Sequence, residues 1–228
     1  MKLILSFVIG FLVYVPNYSI AQYEFLKNVE QWPPATCLRT KPNTKCIRHP
    51  KNFTLHGLWP SNSSSSSDPE TCTRTPFKST LIHTLFPRVN VSWPDITKGK
   101  EESFWAHEWS KHGTCSEVKF NMLEYFTRAL DIKDKVYILK ALNDANIKPD
   151  SIKQHPILEI KKAIAKVTGK DPELRCFQLD NKPEVYLHEI GLCLDFDGIN
   201  FINCPPRPKD NAVSVCSNNN AHVFLLPL

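Results

Sequence analysis

The spacing of apolar positions changes along the chain, and each change predicts a different kind of element. Leu3 to Val15 is an almost unbroken apolar run, followed by Ser19-Ile20-Ala21 with small residues at its first and third positions. This pattern predicts a signal peptide over 1–21 and a mature chain starting near Gln22. The run is short for a bilayer span, and nothing later in the chain resembles one.

Phe53-Thr54-Leu55-His56 alternates with a period of two and reads as a strand. If Asn52 faces outward, Thr54 and His56 share its side while Phe53 and Leu55 enter the core, leaving His56 accessible at a strand end. Ser61 to Asp68, with its serine run, reads as a mobile surface loop. Prolines at 76, 87 and 94 break the pattern from Thr71 to Asp95, where Phe77 to Leu85 is the one short helical candidate. These loops read as recognition or tolerated regions rather than core.

Helical spacing dominates from Lys100 to Lys166. Ser103 is placed to cap a helix running through His112 and stopping at Gly113, and a second helix is expected over Val118 to Leu130. Lys133 to Asn143 and Pro156 to Val167 follow as amphipathic candidates. Beyond Gly169, Leu174 to Leu179, Val185 to Leu194, Gly198 to Phe201 and Ala221 to Leu225 read as strands. Helices in the middle and strands towards both ends predict an α+β fold whose sheet joins distant parts of the chain. No internal repeat or long linker divides it, so 22–228 reads as a single domain.

Charge and cysteines refine this picture. Loss of Lys2 with the signal lowers the formal net charge from +5 to +4, a modest surplus that favours a polyanionic partner. All 8 cysteines lie beyond the predicted cleavage point. In an oxidising compartment they read as disulfides, for which arithmetic alone allows about a hundred pairings. A zinc site is the competing reading, but no CxxC pair occurs and the spacings do not repeat. Asn-x-Ser/Thr sequons at Asn52, Asn62 and Asn90 are glycosylation candidates, which requires each side chain to face solvent.

Candidate chemistry lies in two stretches, Phe53-Thr-Leu-His-Gly-Leu-Trp-Pro60 and Phe104-Trp-Ala-His-Glu-Trp-Ser-Lys-His-Gly-Thr-Cys115. On a helix His107 and Lys111 are four apart, as are Glu108 and His112, so the pairs occupy neighbouring strips of one face and can converge on one small anion. RNA cleavage needs a base for the 2′-hydroxyl proton, an acid for the departing 5′-oxygen and positive charge around the phosphorane. Imidazoles suit the first two tasks, and lysine or a protonated histidine the third. Glu108 could orient His112 or raise its pKa. The expected product is a 2′,3′-cyclic phosphate, with no metal or other cofactor.

Each residue also has a structural explanation. A lone His56 beside a glycine is more often structural than catalytic, and the histidines at 107 and 112 are five apart, unlike the His-Glu-x-x-His zinc motif. Trp59, Trp105 and Trp109 read as packing residues, and Phe104 as core or as a platform for a base.

At these residues the chain resembles the ribonuclease T2 family, the secreted endoribonucleases that pass through a cyclic phosphate. Phe53 to Pro60 is similar to the family's first active-site motif and Phe104 to Cys115 to its second, and similarity extends from Gln31-Trp32-Pro33 to the Cys193 strand. The resemblance implies the T2 fold, a central antiparallel sheet with a cluster of helices. It makes His56 the general acid, His112 the general base and His107 a phosphate binder. Glu108 and Lys111 correspond to the pair that stabilises the pentacovalent intermediate, and Trp59 and Phe104 to members of the base-binding site. Many relatives have aspartate after the first motif's Trp-Pro, where this chain has Ser61, which affects base preference. The resemblance also implies disulfides Cys37–Cys46, Cys72–Cys115, Cys176–Cys216 and Cys193–Cys204.

Within the family, the basic balance, the opening Tyr23 to Pro33 and the position of Asn52 are most similar to the stylar self-incompatibility ribonucleases of flowering plants. That resemblance implies a monomer secreted into the stylar matrix, with single-stranded RNA as substrate, pollen F-box proteins as partners, no DNA partner and no membrane anchor. Allelic variation would fall at about Asn62 to Ser92. The alternatives are a general plant secretory ribonuclease for phosphate recovery or defence, and an inactive binding or storage protein on the same fold.

Overall fold

The computed structural model describes residues 23–40, 46–65, 67–206 and 215–228, so the predicted signal segment lies outside the described residues. Its elements in chain order are β1 (Phe25–Gln31), α1 (Pro33–Arg39), β2 (Thr54–Ser61), a 3-10 turn (Ser79–Leu85) leading into α2 (Phe86–Ser92), α3 (Glu101–Lys111), α4 (Met122–Lys135), α5 (Ile138–Asp144), β3 (Gln154–Pro156), α6 (Ile157–Thr168), β4 (Glu173–Gln178), β5 (Val185–Leu194) and β6 (His222–Phe224). Among the described residues no helix is long and apolar enough to cross a membrane.

The sheet runs β2-β1-β5-β6-β3, with β4 also paired to β5. Every pairing is antiparallel except the short β5/β6 contact. The central strand β1 is buried along all of its length although it carries Lys27, Asn28 and Glu30. Those groups are matched internally: Lys27 Nζ lies 2.9 Å from Glu173, Asn28 donates to the Ala129 carbonyl, and Lys133 Nζ lies 2.6 Å from Glu30. Buried charge persists only when matched in this way. Gly191 makes room for the aliphatic stem of Lys27 on its way to Glu173, since a side chain there would press on Lys27.

The helices pack an aromatic core under β2. Trp93, Trp105, Trp109, Tyr125 and Phe126 are all buried, and the polar atoms of the tryptophans and the tyrosine fix nearby backbone. Trp93 Nε1 donates to the His56 carbonyl at 2.9 Å, Trp105 Nε1 to the Trp93 carbonyl at 2.8 Å, and Tyr125 Oη to the Leu58 carbonyl at 2.8 Å. These bonds satisfy the polar ends of large apolar rings and hold the strand carrying His56 against the helix cluster.

Several expected boundaries move. α3 begins at Glu101, so Ser103 lies inside the helix and caps nothing; Glu101 and Glu102 in the first turn suit the helix dipole instead. α4 starts at Met122, preceded by Asn121, whose side chain and that of Glu124 form a reciprocal capping box. It continues to Lys135, past the expected stop at Leu130, and the break falls at Val136-Tyr137 rather than near Asp131. Gly198 to Phe201 makes one bridge, Leu194 to Phe201, instead of a strand. There Asp195 accepts from the Ile199 and Asn200 amides and closes a turn.

The proline-broken region differs more. Ile82, Leu85, Val89 and Trp93 are buried, so Thr71 to Asp95 supplies part of the core rather than only tolerated loop. Pro87 sits in the first turn of α2, where its missing amide proton costs nothing. Ser61 is buried as the last residue of β2, so the following loop begins at Asn62.

Disulfides join Cys37 to Cys46, Cys72 to Cys115, Cys176 to Cys216 and Cys193 to Cys204. The Cys72–Cys115 bond straps the 71–72 segment to the 3-10 turn Gly113–Ser116 that follows α3, assisted by the Thr71 amide on the Lys111 carbonyl at 2.8 Å.

Candidate active site

His56 owes its position to an irregularity in the sheet. Val29 pairs with Gly57 and Glu30 with Leu55, so His56 is the extra residue of a β-bulge. Bulges re-aim side chains, and here the imidazole stands edge-on to Trp59 at 5.1 Å and tilted to Phe104 at 6.1 Å. Thr54, expected on the accessible side with His56, is buried instead, while Phe53 and Leu55 enter the core as alternation predicts.

A second bulge lies on β5. Arg175 pairs with Glu189 and Cys176 with Leu187, which leaves His188 without an opposite residue. The buried Glu189 carboxylate meets His56 Nδ1 at 2.5 Å, and Arg175 Nε lies 3.1 Å from its other oxygen.

α3 delivers the other groups. Glu108 is buried; its Oε2 accepts from Trp59 Nε1 at 3.2 Å and its Oε1 lies 3.9 Å from His56 Nε2. Gly57 permits this approach, because a Cβ there would collide with Glu108 Oε2 and Trp59 Nε1. His112 caps the helix C-terminally and stacks on Trp59 at 5.1 Å. Its buried Nδ1 makes no hydrogen bond among the described residues. His107 is exposed at the rim, and Lys111 Nζ lies 3.1 Å from Glu70. The motif residues therefore do converge, but at two depths: Glu108 and His112 on the floor, His107 and Lys111 at the mouth.

Two recesses flank this cluster. One of about 290 Å³ is lined by Trp59, Glu70, Glu108, Lys111, His112 and Arg175. The other, about 690 Å³, is lined by Gln31, Arg39, Lys98, Lys100 and His188 among others. His56, Phe104 and His107 belong to both walls. Trp59 is buried, with His112 stacked on it and Lys27 and Arg175 each 5.7 Å from its centroid, whereas Phe104 is only partly buried.

The environments drive the two motif histidines apart. At His56 burial opposes the charged form, but the Glu189 carboxylate and then Glu108 outweigh it and raise the pKa. At His112 burial is reinforced by Lys111, His56, His107 and Lys27, and the pKa falls to about 2. Glu108 is pushed up, chiefly by burial. Glu189 is pushed down: burial acts the other way, but His56, His188 and Arg175 prevail.

Glu189 and Arg175 were not identified as site residues from the sequence. The one signal for Glu189 is the His-Glu pair inside the otherwise apolar run Val185 to Leu194, and nothing local marks Arg175. Asn52 and Asn90 are exposed, whereas Asn62 is half-buried with its amide oxygen shielded from solvent.

A disulfide-stapled α+β domain with three imidazoles, two carboxyls and a lysine around one cleft has the equipment for acid–base cleavage of a phosphodiester. Residues 23–204 match the Ribonuclease T2 family, and the chain belongs to that family. It is a metal-independent endoribonuclease of the T2 type, cleaving RNA by transesterification. The chain is 36% identical to Ribonuclease 1 of Arabidopsis thaliana over 203 residues, covering 86% of each chain. It is 34% identical to Ribonuclease S-7 of Nicotiana alata, over 90% of this chain and 92% of that one. A crystal structure of a single-residue variant of RNase MC1 in complex with 5′-UMP superposes with a TM-score of 0.76 at 34% identity, over 84% of this chain and 97% of that one.

Proposed function

We propose that His112 is the general base and His56 the general acid in the cleavage of single-stranded RNA. The observation that supports this most directly is the opposed proton affinity of two imidazoles facing one cleft. A base must start neutral and an acid must start protonated.

In this mechanism His112 takes the 2′-hydroxyl proton as the oxygen attacks phosphorus. In the empty cleft His112 is a weak base because it is buried and, next, because cations surround it; an arriving phosphodiester anion offsets the cations and raises its basicity. Lys111 and His107 at the mouth bind the phosphate oxygens. Glu108, on the cleft floor, completes with Lys111 the pair that stabilises the pentacovalent intermediate. His56 Nδ1 is engaged by Glu189, so Nε2 gives its proton to the 5′-oxygen as the P–O5′ bond breaks. The products are a 2′,3′-cyclic phosphate and a free 5′-hydroxyl. Phe104 and Trp59 line the recesses for the flanking bases, and Phe104 offers the more open ring.

The biological reading supported best is a general plant secretory ribonuclease in phosphate recovery or defence. It rests on the predicted signal segment, the four cystines, which suit an oxidising compartment, and the match to Ribonuclease 1. Asn52 and Asn90 are the proposed glycan sites, since both side chains face solvent. A second reading, the stylar determinant of gametophytic self-incompatibility acting with pollen F-box proteins, is favoured by the similarity to Ribonuclease S-7. Expression confined to the pistil would select the second reading, and expression in leaf or root the first.

Chemistry is tested with purified glycoprotein and a defined single-stranded RNA in EDTA. Cleavage leaving 2′,3′-cyclic ends is expected, and no cleavage by folded protein would contradict the proposal.

A further inference from the structure

We propose that Glu189 is a positioning residue for His56, fixing the imidazole through Nδ1 so that Nε2 faces the scissile phosphate. The inference rests on the acid role proposed for His56.

Three observations carry it. Glu189 is buried, and its Oε1 meets His56 Nδ1 at 2.5 Å across two different strands, 133 residues apart in sequence. Its other oxygen lies 3.1 Å from Arg175 Nε, an ion pair that opposes rotation of the carboxylate. Both partners lie at sheet irregularities: His56 is the bulge residue of β2, and Glu189 follows the bulge residue His188 on β5. The β2 bulge re-aims His56, while β5 pairs with β1 without a break and sets Glu189 opposite Gln31, one strand away from β2.

The consequence is a fixed tautomer. A carboxylate can only accept, so Nδ1 keeps its proton. In the neutral imidazole Nε2 is then the acceptor, and in the imidazolium it is the donor aimed into the cleft. A ring free to flip would present the wrong nitrogen for part of the time. The groups that bear on His56 are Glu189 and His188 from β5, Arg175 from β4, and Glu108, His107 and His112 from α3 and its cap. Of the two carboxyls, Glu108 approaches Nε2 only to 3.9 Å, so Glu189 is the one in direct contact.

Two substitutions separate charge from position. Glu189→Gln keeps the shape and removes the charge. Its kcat should fall about 10- to 100-fold, part of the 10²–10⁴ typical of acid–base catalysis, with KM nearly unchanged. The high-pH limb of kcat/KM, where His56 loses its proton, should move down by about one pH unit or more. Glu189→Asp keeps the charge but retracts it by one methylene, and should lower kcat while leaving the limb closer to wild type; it also carries the test if Glu189→Gln does not fold.

Titration of the His56 ring by NMR in the same variants separates the two claims. A lowered His56 pKa together with a shifted limb supports the proposal. A lowered pKa with an unmoved limb supports the Glu189 contact but refutes the acid role of His56. An unchanged His56 pKa and a kcat within about twofold of wild type would overturn the proposal.

Discussion

His56 and His112 lie in one cleft and carry the same side chain, yet their surroundings press them in opposite directions. His56 sits on a strand bulge with one carboxylate on Nδ1 and a second near Nε2. His112 closes a helix against the flat face of Trp59, with cations about it and no partner for Nδ1 among the described residues. Proton affinity is set by the element that presents the ring and by what that element places behind it. A strand whose neighbours carry buried carboxylates makes an acid, and a helix end packed on an indole makes a base.

Removing either ring breaks the comparison outright. His56→Ala and His112→Ala should each reduce cleavage by about 10²–10⁴-fold while secretion and the near-UV spectrum stay intact. Loss of secretion in both would mean the rings are structural.

A smaller effect separates the rings by stability. The folded-state pKa of His112 is depressed to about 2, below the usual 6.5. As pH falls below 6.5 the unfolded chain gains a proton at this position and the folded chain does not, so stability is lost on acidification. His112→Gln should flatten that decline, by up to about 3 kcal/mol between pH 6.5 and about pH 4, measured as a smaller drop in Tm than wild type shows. The raised pKa of His56 has the opposite sign: its contribution is complete below 6.5 and disappears as pH rises through its folded-state value. A steeper acid decline in His112→Gln would contradict the burial of a neutral ring.

Gly57→Ala sharpens the comparison from between the two rings. The new methyl meets Glu108 Oε2 and Trp59 Nε1, the groups that connect the two environments. The expected cost is about 1–3 kcal/mol, with kcat falling because Glu108 must move. Wild-type melting and activity would show that this packing is looser than the contacts imply.

The smallest effect concerns the mouth. Glu70→Gln releases Lys111 from a half-exposed ion pair, and such pairs contribute about 0–1 kcal/mol. KM should fall by no more than about fivefold at low salt, with kcat unchanged and the difference lost as salt rises.

The cleft is readable in the sequence only where its residues are close together. His107, Glu108, Lys111 and His112 share one helix turn and a half, so spacing alone gathers them. His56 stood out beside Gly57 and Trp59, but its orientation did not, because a bulge depends on the register of two strands distant in sequence. Glu189 and Arg175 were hidden for the same reason: Val185 to Leu194 reads as an apolar strand, and nothing local ties its glutamate to a histidine on β2. β1 is obscured by Lys27, Asn28 and Glu30, which mimic a polar segment until Glu173, the Ala129 carbonyl and Lys133 meet them. The late start of α4 was legible in Asn121 and Glu124, a capping pair outweighed by the apolar Val118 and Phe120 before it.

The most direct test is NMR titration of the His56 and His112 rings in the unliganded wild-type protein, assigned with His56→Ala and His112→Ala. The His56 ring should titrate above 6.5, and the His112 ring should stay neutral down to strongly acidic pH. Two rings titrating together near 6.5, or in the reverse order, would contradict the assignment of acid and base.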